Sequence, residues 1–115
     1  MSHGMEIPDF TNVSVHAKAN VYFEGRVVSH TLILPDNSRK TIGVILPGSY
    51  HFGTQQPERM EIILGEAGVL LDGTEKQTRH LSGSESFSFD VPANSGFTIT
   101  VSDEPCHYIC SFLPE

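Results

Sequence analysis

Apolar and polar residues alternate along most of this chain with a period of two, in short runs broken by Gly, Pro, Asn and Asp. No stretch carries the 3.6-residue repeat of an amphipathic helix. The alternation predicts strands over residues 22–34, 40–46, 49–53, 60–64, 67–71, 86–91, 97–101 and 107–113. The first run is expected to bend at Gly25, where a missing side chain suits a bulge. Breakers separate the runs at 35–38, 47–48, 56–57, 72–73, 83, 92–96 and 103–105, and Asp72-Gly73 is the strongest hairpin signal.

Parity along each run assigns its faces. Tyr50, Phe52 and Thr54 fall on one side, opposite Ser49, His51 and Gly53, while Phe87, Phe89 and Val91 oppose Ser86, Ser88 and Asp90. Phe97, Ile99 and Val101 share a face, as do Tyr108, Cys110 and Phe112. So many short antiparallel strands with one apolar side predict an all-β, double-sheet jelly-roll barrel with an interior able to take a small ligand. Residues 1–19 read differently. Their apolar positions are scattered, so they are expected to form an N-terminal arm or one short edge strand, and Met1 to Met5 looks in part like an expression-vector leftover.

Composition narrows the function classes. Seven Lys and Arg against fourteen Asp and Glu give a net charge of -7, which leaves no basic stripe for nucleic acid or an anionic membrane surface. No apolar run is long enough to span a bilayer, so a cytoplasmic protein is expected. Cys106 and Cys110 lie in one predicted strand, with α-carbons about 13 Å apart at the usual rise per residue, too far to pair with each other. Both are read as reduced thiols.

The segment from Gly48 to Gly68 has the layout of a cupin metal motif, and the chain resembles the cupin superfamily over residues 20–115, read as a single cupin domain. Glu58 and Gly65 stand where that motif has its glutamate and glycine, but Phe52 and Thr54 occupy the positions of its paired histidines. In the second motif, Pro92-Ala93-Asn94-Ser95-Gly96-Phe97, Phe97 stands in place of the third histidine. Phenylalanine cannot coordinate and threonine is a weak donor, so no metal is expected. The six histidines show no ligand spacing, and His51 and His107 are expected on the solvated face.

These departures form a pattern of their own. Tyr22-Phe23-Glu24-Gly25, Arg39 before Ile42-Gly43-Val44, Tyr50-x-Phe52-x-Thr54-x-x-Pro57-Glu58-x-Met60, Phe89-x-Val91-Pro92-x-x-Ser95-x-Phe97, and Tyr108-x-Cys110-x-Phe112 together resemble the small cupin-fold pyrimidine/purine nucleoside phosphorylase family. The resemblance implies phosphorolysis of a broad range of ribonucleosides to free base and ribose 1-phosphate, with nucleosides and inorganic phosphate as substrates and no cofactor. On this reading Arg39, with its bidentate guanidinium, is the candidate for phosphate, and Arg59 and Arg79 are weaker ones. Glu58 is the candidate for holding the ribose hydroxyls or offsetting positive charge on the sugar. Tyr50, Phe52, Phe89 and Phe97 share the inferred inner face and are candidates to stack on the base. Thr54 and Ser95 are candidates for single hydrogen bonds to phosphate or sugar.

Two other readings use the same residues. One is a sugar- or nucleoside-binding cupin without catalysis. The other is a metal-dependent isomerase or dioxygenase using displaced ligands such as His30 and His51. Jelly rolls commonly cover an edge with a second copy, and the arm is free to cross over, so a homodimer is expected.

Overall fold

Strand formation follows the alternation, and the strands sort into two antiparallel sheets. The computed structural model describes residues 7–74, 77–80 and 87–114. In chain order its strands are β1 (Ser14–Val15), β2 (Asn20–Tyr22), β3 (Val27–Ile33), β4 (Arg39–Ile45), β5 (Gly48–Gly53), β6 (Glu58–Leu64), β7 (Ala67–Leu71), β8 (Gln77–His80), β9 (Phe87–Val91), β10 (Gly96–Val101) and β11 (Cys106–Phe112). The larger sheet runs β1-β3-β4-β11-β6-β9, with β2 also paired to β3, and the smaller runs β5-β10-β7-β8. This is the all-β double-sheet architecture that the alternation predicts.

Inward residues of both sheets make the core. Val27, Ile45, Ile62, Val69, Ile99 and Cys106 are almost completely buried. Each buried aliphatic side chain contributes roughly 1.5–3 kcal/mol. The core lies between the sheets and is continuous with the aromatic residues Phe52, Phe87, Phe89 and Phe112, which are only partly buried. That partial burial marks where the sheets part.

The expected run 22–34 is divided. Between β2 and β3 the chain turns through Phe23, Glu24 and Gly25, all left-handed, with φ of 51°, 58° and 93°. The bend expected at Gly25 therefore begins two residues earlier. It swings the Phe23 ring onto Tyr50 and Phe52, at centroid distances of 5.0 and 5.4 Å. The Asp72-Gly73 hairpin joins β7 to β8, with the Thr74 N–H donating to the Leu71 carbonyl at 3.2 Å and Gly73 at φ 83°. Strand β8 was not expected, because its polar sequence gives no apolar alternation. The expected breaker at Gly83 and the start of run 86–91 lie outside the described residues. Within the expected arm, β1 forms an edge strand on β3.

Candidate active site

Where the sheets part, they enclose a cavity of about 210 Å³. The smaller sheet supplies an aromatic wall. Phe52 on β5 and Phe97 on β10 are cross-strand partners, and their rings stack at 5.6 Å with 26° between planes. Phe89 meets Phe97 edge-on at 5.2 Å, and Tyr22 meets Phe52 edge-on at 6.0 Å. Of these, Tyr22, Phe52 and Phe97 line the cavity.

The larger sheet supplies the polar groups. Ser29, Thr41, Glu58, Tyr108 and Cys110 come from β3, β4, β6 and β11, and all face inward by strand parity. Gly43 makes room for them at the sheet centre. A Cβ at Gly43 would sit 2.8 Å from Ser29 Cβ and 2.9 Å from Tyr108 Cε1. Without it, the Tyr108 ring lies against β3, within reach of the Ser29 hydroxyl. Ser29, 2 % exposed, also accepts a hydrogen bond from Asn20 Nδ2 at 3.2 Å, and Asn20 donates to Thr31 Oγ1 at the same distance.

Glu58 opens β6 opposite Phe112 of β11. Its Oε1 accepts a hydrogen bond from the Cys110 thiol at 3.5 Å. Desolvation in the half-buried wall raises the Glu58 carboxyl above its ordinary value, and the thiol hydrogen bond partly offsets this. Among the described residues, no cationic side chain forms an ion pair with it. Burial pushes the Tyr108 hydroxyl up to about 12. Burial, reinforced by the charge of Glu58, pushes the Cys110 thiol far above the usual range, so it is no nucleophile near neutral pH.

The remaining candidates lie around this centre. Arg39 is exposed, with Cζ 4.5 Å from the centroid of the Phe112 ring, whose side chain lines the cavity. Its charge is felt at Cys110 on the cavity wall. The Arg59 guanidinium donates to both oxygens of Asp90, at 2.8 and 3.1 Å. The side chain of Arg79 lies outside the described residues.

Of the remaining candidates, Thr54, Ser95, Tyr50 and Phe89 do not line the cavity. The Thr54 hydroxyl donates to the Pro92 carbonyl at 2.6 Å and accepts from the Ser95 N–H at 3.1 Å, while the Thr54 N–H donates to the Ser95 carbonyl at 3.0 Å. Thr54 and Ser95 thereby lock the turn that leads into Phe97. The Tyr50 hydroxyl donates to the Leu46 and Pro47 carbonyls, at 2.8 and 3.0 Å. Phe89 supports Phe97 from the side.

Sequence reasoning placed none of Ser29, Thr41, Tyr108 and Cys110 in a site. The signal for Ser29 and Thr41 was parity alone, which puts them on the same face of their strands as Val27 and Ile45. His51 is exposed, as expected, and bonded to Asp72 at 2.9 Å. His107 faces away from the aromatic side, as expected, but is not fully solvated. It is half-buried in a groove on the outer face of the larger sheet, with His30, Ile63 and Ile109. His30 donates through Nδ1 to the His16 carbonyl at 3.1 Å. Among the described residues, no cluster of three or more His, Cys, Asp or Glu is placed to hold a metal ion.

Comparison with known proteins agrees with this architecture. Residues 17–112 match the family model described as pyrimidine/purine nucleoside phosphorylase. A curated pyrimidine/purine nucleoside phosphorylase from Methylococcus capsulatus is 53% identical over 103 residues, covering 90% of this chain and 96% of the relative. A crystal structure of a protein of unknown function from Acinetobacter sp. ADP1 superposes with a TM-score of 0.83 at 42% identity, covering 91% of this chain and 98% of that one. The cupin domain of Schizosaccharomyces pombe Cnp3 is similar in fold alone, with a TM-score of 0.57 at 12% identity over 84% of this chain and 69% of that one.

Proposed function

Because this chain belongs to the pyrimidine/purine nucleoside phosphorylase family, we propose that it cleaves purine and pyrimidine ribonucleosides by phosphorolysis in the cavity between its sheets, releasing free base and ribose 1-phosphate. The observation that carries this reading is the pairing of a stacked aromatic wall, Phe52 and Phe97, with a half-buried carboxylate that has no cationic partner among the described residues. Aromatic faces accept every base, because each base has a π-face, and this suits broad specificity. Glu58 supplies negative charge where the sugar becomes cationic as the glycosidic bond opens.

Arg39 is the group proposed to receive phosphate at the cavity edge. Its guanidinium lies over Phe112, its charge reaches the Cys110 wall, and Arg59, the other phosphate candidate in view, is already held by Asp90. Phosphate is itself the nucleophile, so the reaction needs positioning of a dianion beside the anomeric carbon rather than a resident cofactor.

The test is release of free base from uridine, inosine and adenosine, each with and without phosphate. Phosphate-dependent release from both purine and pyrimidine nucleosides is expected. No such release from any of the three would sink the reading. Arg39→Ala should raise the phosphate concentration needed for half-maximal rate by at least tenfold, on the scale of one lost charge-assisted contact. An unchanged phosphate dependence would remove Arg39 from the site.

A further inference from the structure

We infer that Tyr108 reads the base of the bound nucleoside, donating a hydrogen bond to the acceptor that every base carries beside its glycosidic nitrogen, O2 of a pyrimidine or N3 of a purine. The inference rests on the phosphorolysis reading and names a contact that reading leaves open.

The register of β11 sets the cavity's groups in a line. Its inward side chains Phe112, Cys110 and Tyr108 follow at every second residue, so the α-carbons of the first and last lie about 13 Å apart. Arg39 lies over the Phe112 ring, and Glu58 accepts from Cys110. Tyr108 stands beyond both, opposite Gly43, which has no side chain to cover it. An attacking phosphate and a departing base stand on opposite sides of the sugar carbon. With phosphate at Arg39 and the sugar beside Glu58, the base falls at Tyr108. Phe52 belongs to the same end. Its ring meets Tyr22 of β2, and that strand pairs Asn20 with Ser29, which is also cross-strand to Gly43. A base stacked on Phe52 therefore shares the Tyr108 end of the cavity.

The Tyr108 hydroxyl is poised to donate there. Tyr108 is only 6 % exposed and lines the cavity, yet no carbonyl or carboxylate among the described residues accepts from it. Tyr50, 4 % exposed, donates instead to the Leu46 and Pro47 carbonyls. Ser29 fixes the direction. It is almost fully buried and receives an Asn20 amide proton, so its own proton needs an acceptor, and the Tyr108 oxygen is within reach. The phenol proton is then left for the cavity. A buried donor without a partner is costly, and a ligand acceptor removes that cost. Burial, which pushes the hydroxyl up to about 12, keeps it a donor throughout the neutral range.

This acceptor also accounts for breadth. Purine N3 and pyrimidine O2 are common to all the bases on the sugar side, so one donor serves each of them while their faces meet the aromatic wall. Electron density gathers on the base as the carbon–nitrogen bond opens, and the hydrogen bond strengthens with it. No proton changes hands in this contact.

Adenosine and 3-deazaadenosine, in which CH replaces N3, separate a contact to the base from a role in packing. Tyr108→Phe keeps the ring and removes the hydroxyl. It should lower kcat/KM for uridine, inosine and adenosine alike, by about tenfold or more, on the scale of one lost hydrogen bond to a group gaining charge. The wild type should prefer adenosine to 3-deazaadenosine, and Tyr108→Phe should shrink that preference about tenfold. Packing alone would lower both substrates equally. An unchanged preference in Tyr108→Phe, a loss confined to purines or to pyrimidines, or a wild type that uses adenosine and 3-deazaadenosine equally would overturn the role. If Tyr108→Phe does not fold, Ser29→Ala decides: it frees the phenol proton to turn away and should shrink the same preference by about threefold, and no change would overturn the role. A wild-type protein that phosphorolyses neither uridine nor adenosine fails the proposed function itself, whereas an active wild type with an unchanged preference in the variant fails the Tyr108 contact alone.

Discussion

A carboxylate whose partner is a thiol behaves unlike one beside an arginine. Glu58 is desolvated by the cavity wall, with no ion pair among the described residues to compensate, so folding favours its neutral form and its folded-state value lies above the unfolded one. Stability linked to this group is fully present below the unfolded carboxylate value and is lost as pH rises through the folded one. Glu58→Gln should therefore melt higher than the wild type at pH 8, by on the order of 1–3 °C for a half-buried group screened by water, and show no such advantage at pH 4. Melting temperatures at the two pH values check this, and an advantage larger at pH 4 would contradict it. At this scale, parity made Phe52 and Phe97 legible, because a period of two fixes which side chains share a face, whereas Glu58, outside the expected run 60–64, was legible only through the motif resemblance. Tyr108 and Cys110 share a face with Phe112 by the same parity but were not legible as site residues, since sequence does not show where two sheets stop touching. Thr54 shows the opposite limit. Its inward position was legible, but its hydrogen bonds depend on a turn nearly forty residues away in sequence.

Elements were legible where both faces of a strand left a signature. Strand β7 matches the expected run 67–71, and the other expected strands that lie within the described residues agree within two residues at their ends, apart from the division at Phe23–Gly25. Strand β8 left no signature because backbone pairing to β7 defines it, and such pairing is indifferent to side chains. The end of β5 is joined to the turn between β9 and β10 through Thr54, which satisfies the Pro92 carbonyl and the Ser95 N–H together. Thr54→Val keeps the shape and removes both partners, so it should destabilise the fold by about 2–3 kcal/mol, the desolvation cost of leaving partly buried polar groups unpaired. Urea unfolding measures this, and a loss below about 0.5 kcal/mol would show that the turn is held by other contacts. The Phe97 ring follows that turn directly, so the same variant should also raise KM for nucleosides.

For the whole molecule, the division of labour between the sheets sets the chemistry. One sheet presents stacking surface and the other presents hydroxyls, a thiol and a carboxylate, so the site exists only when both are formed and apposed. Strand β11 lies at the middle of the larger sheet, between β4 and β6, and brings Tyr108, Cys110 and Phe112 to the cavity. A polypeptide ending at residue 105 should show no cooperative urea transition and should aggregate, because two long strand edges are left without partners. A cooperative transition in that fragment would show that β11 is dispensable. On the ribosome the same arrangement imposes a timetable. Strands β4 and β6 emerge first and wait for the one that joins them, so the nascent chain carries their open edges until residues 106–112 have emerged, and the cavity is incomplete before then. Its yield in a cell should respond to chaperone supply more steeply than its finished stability would suggest.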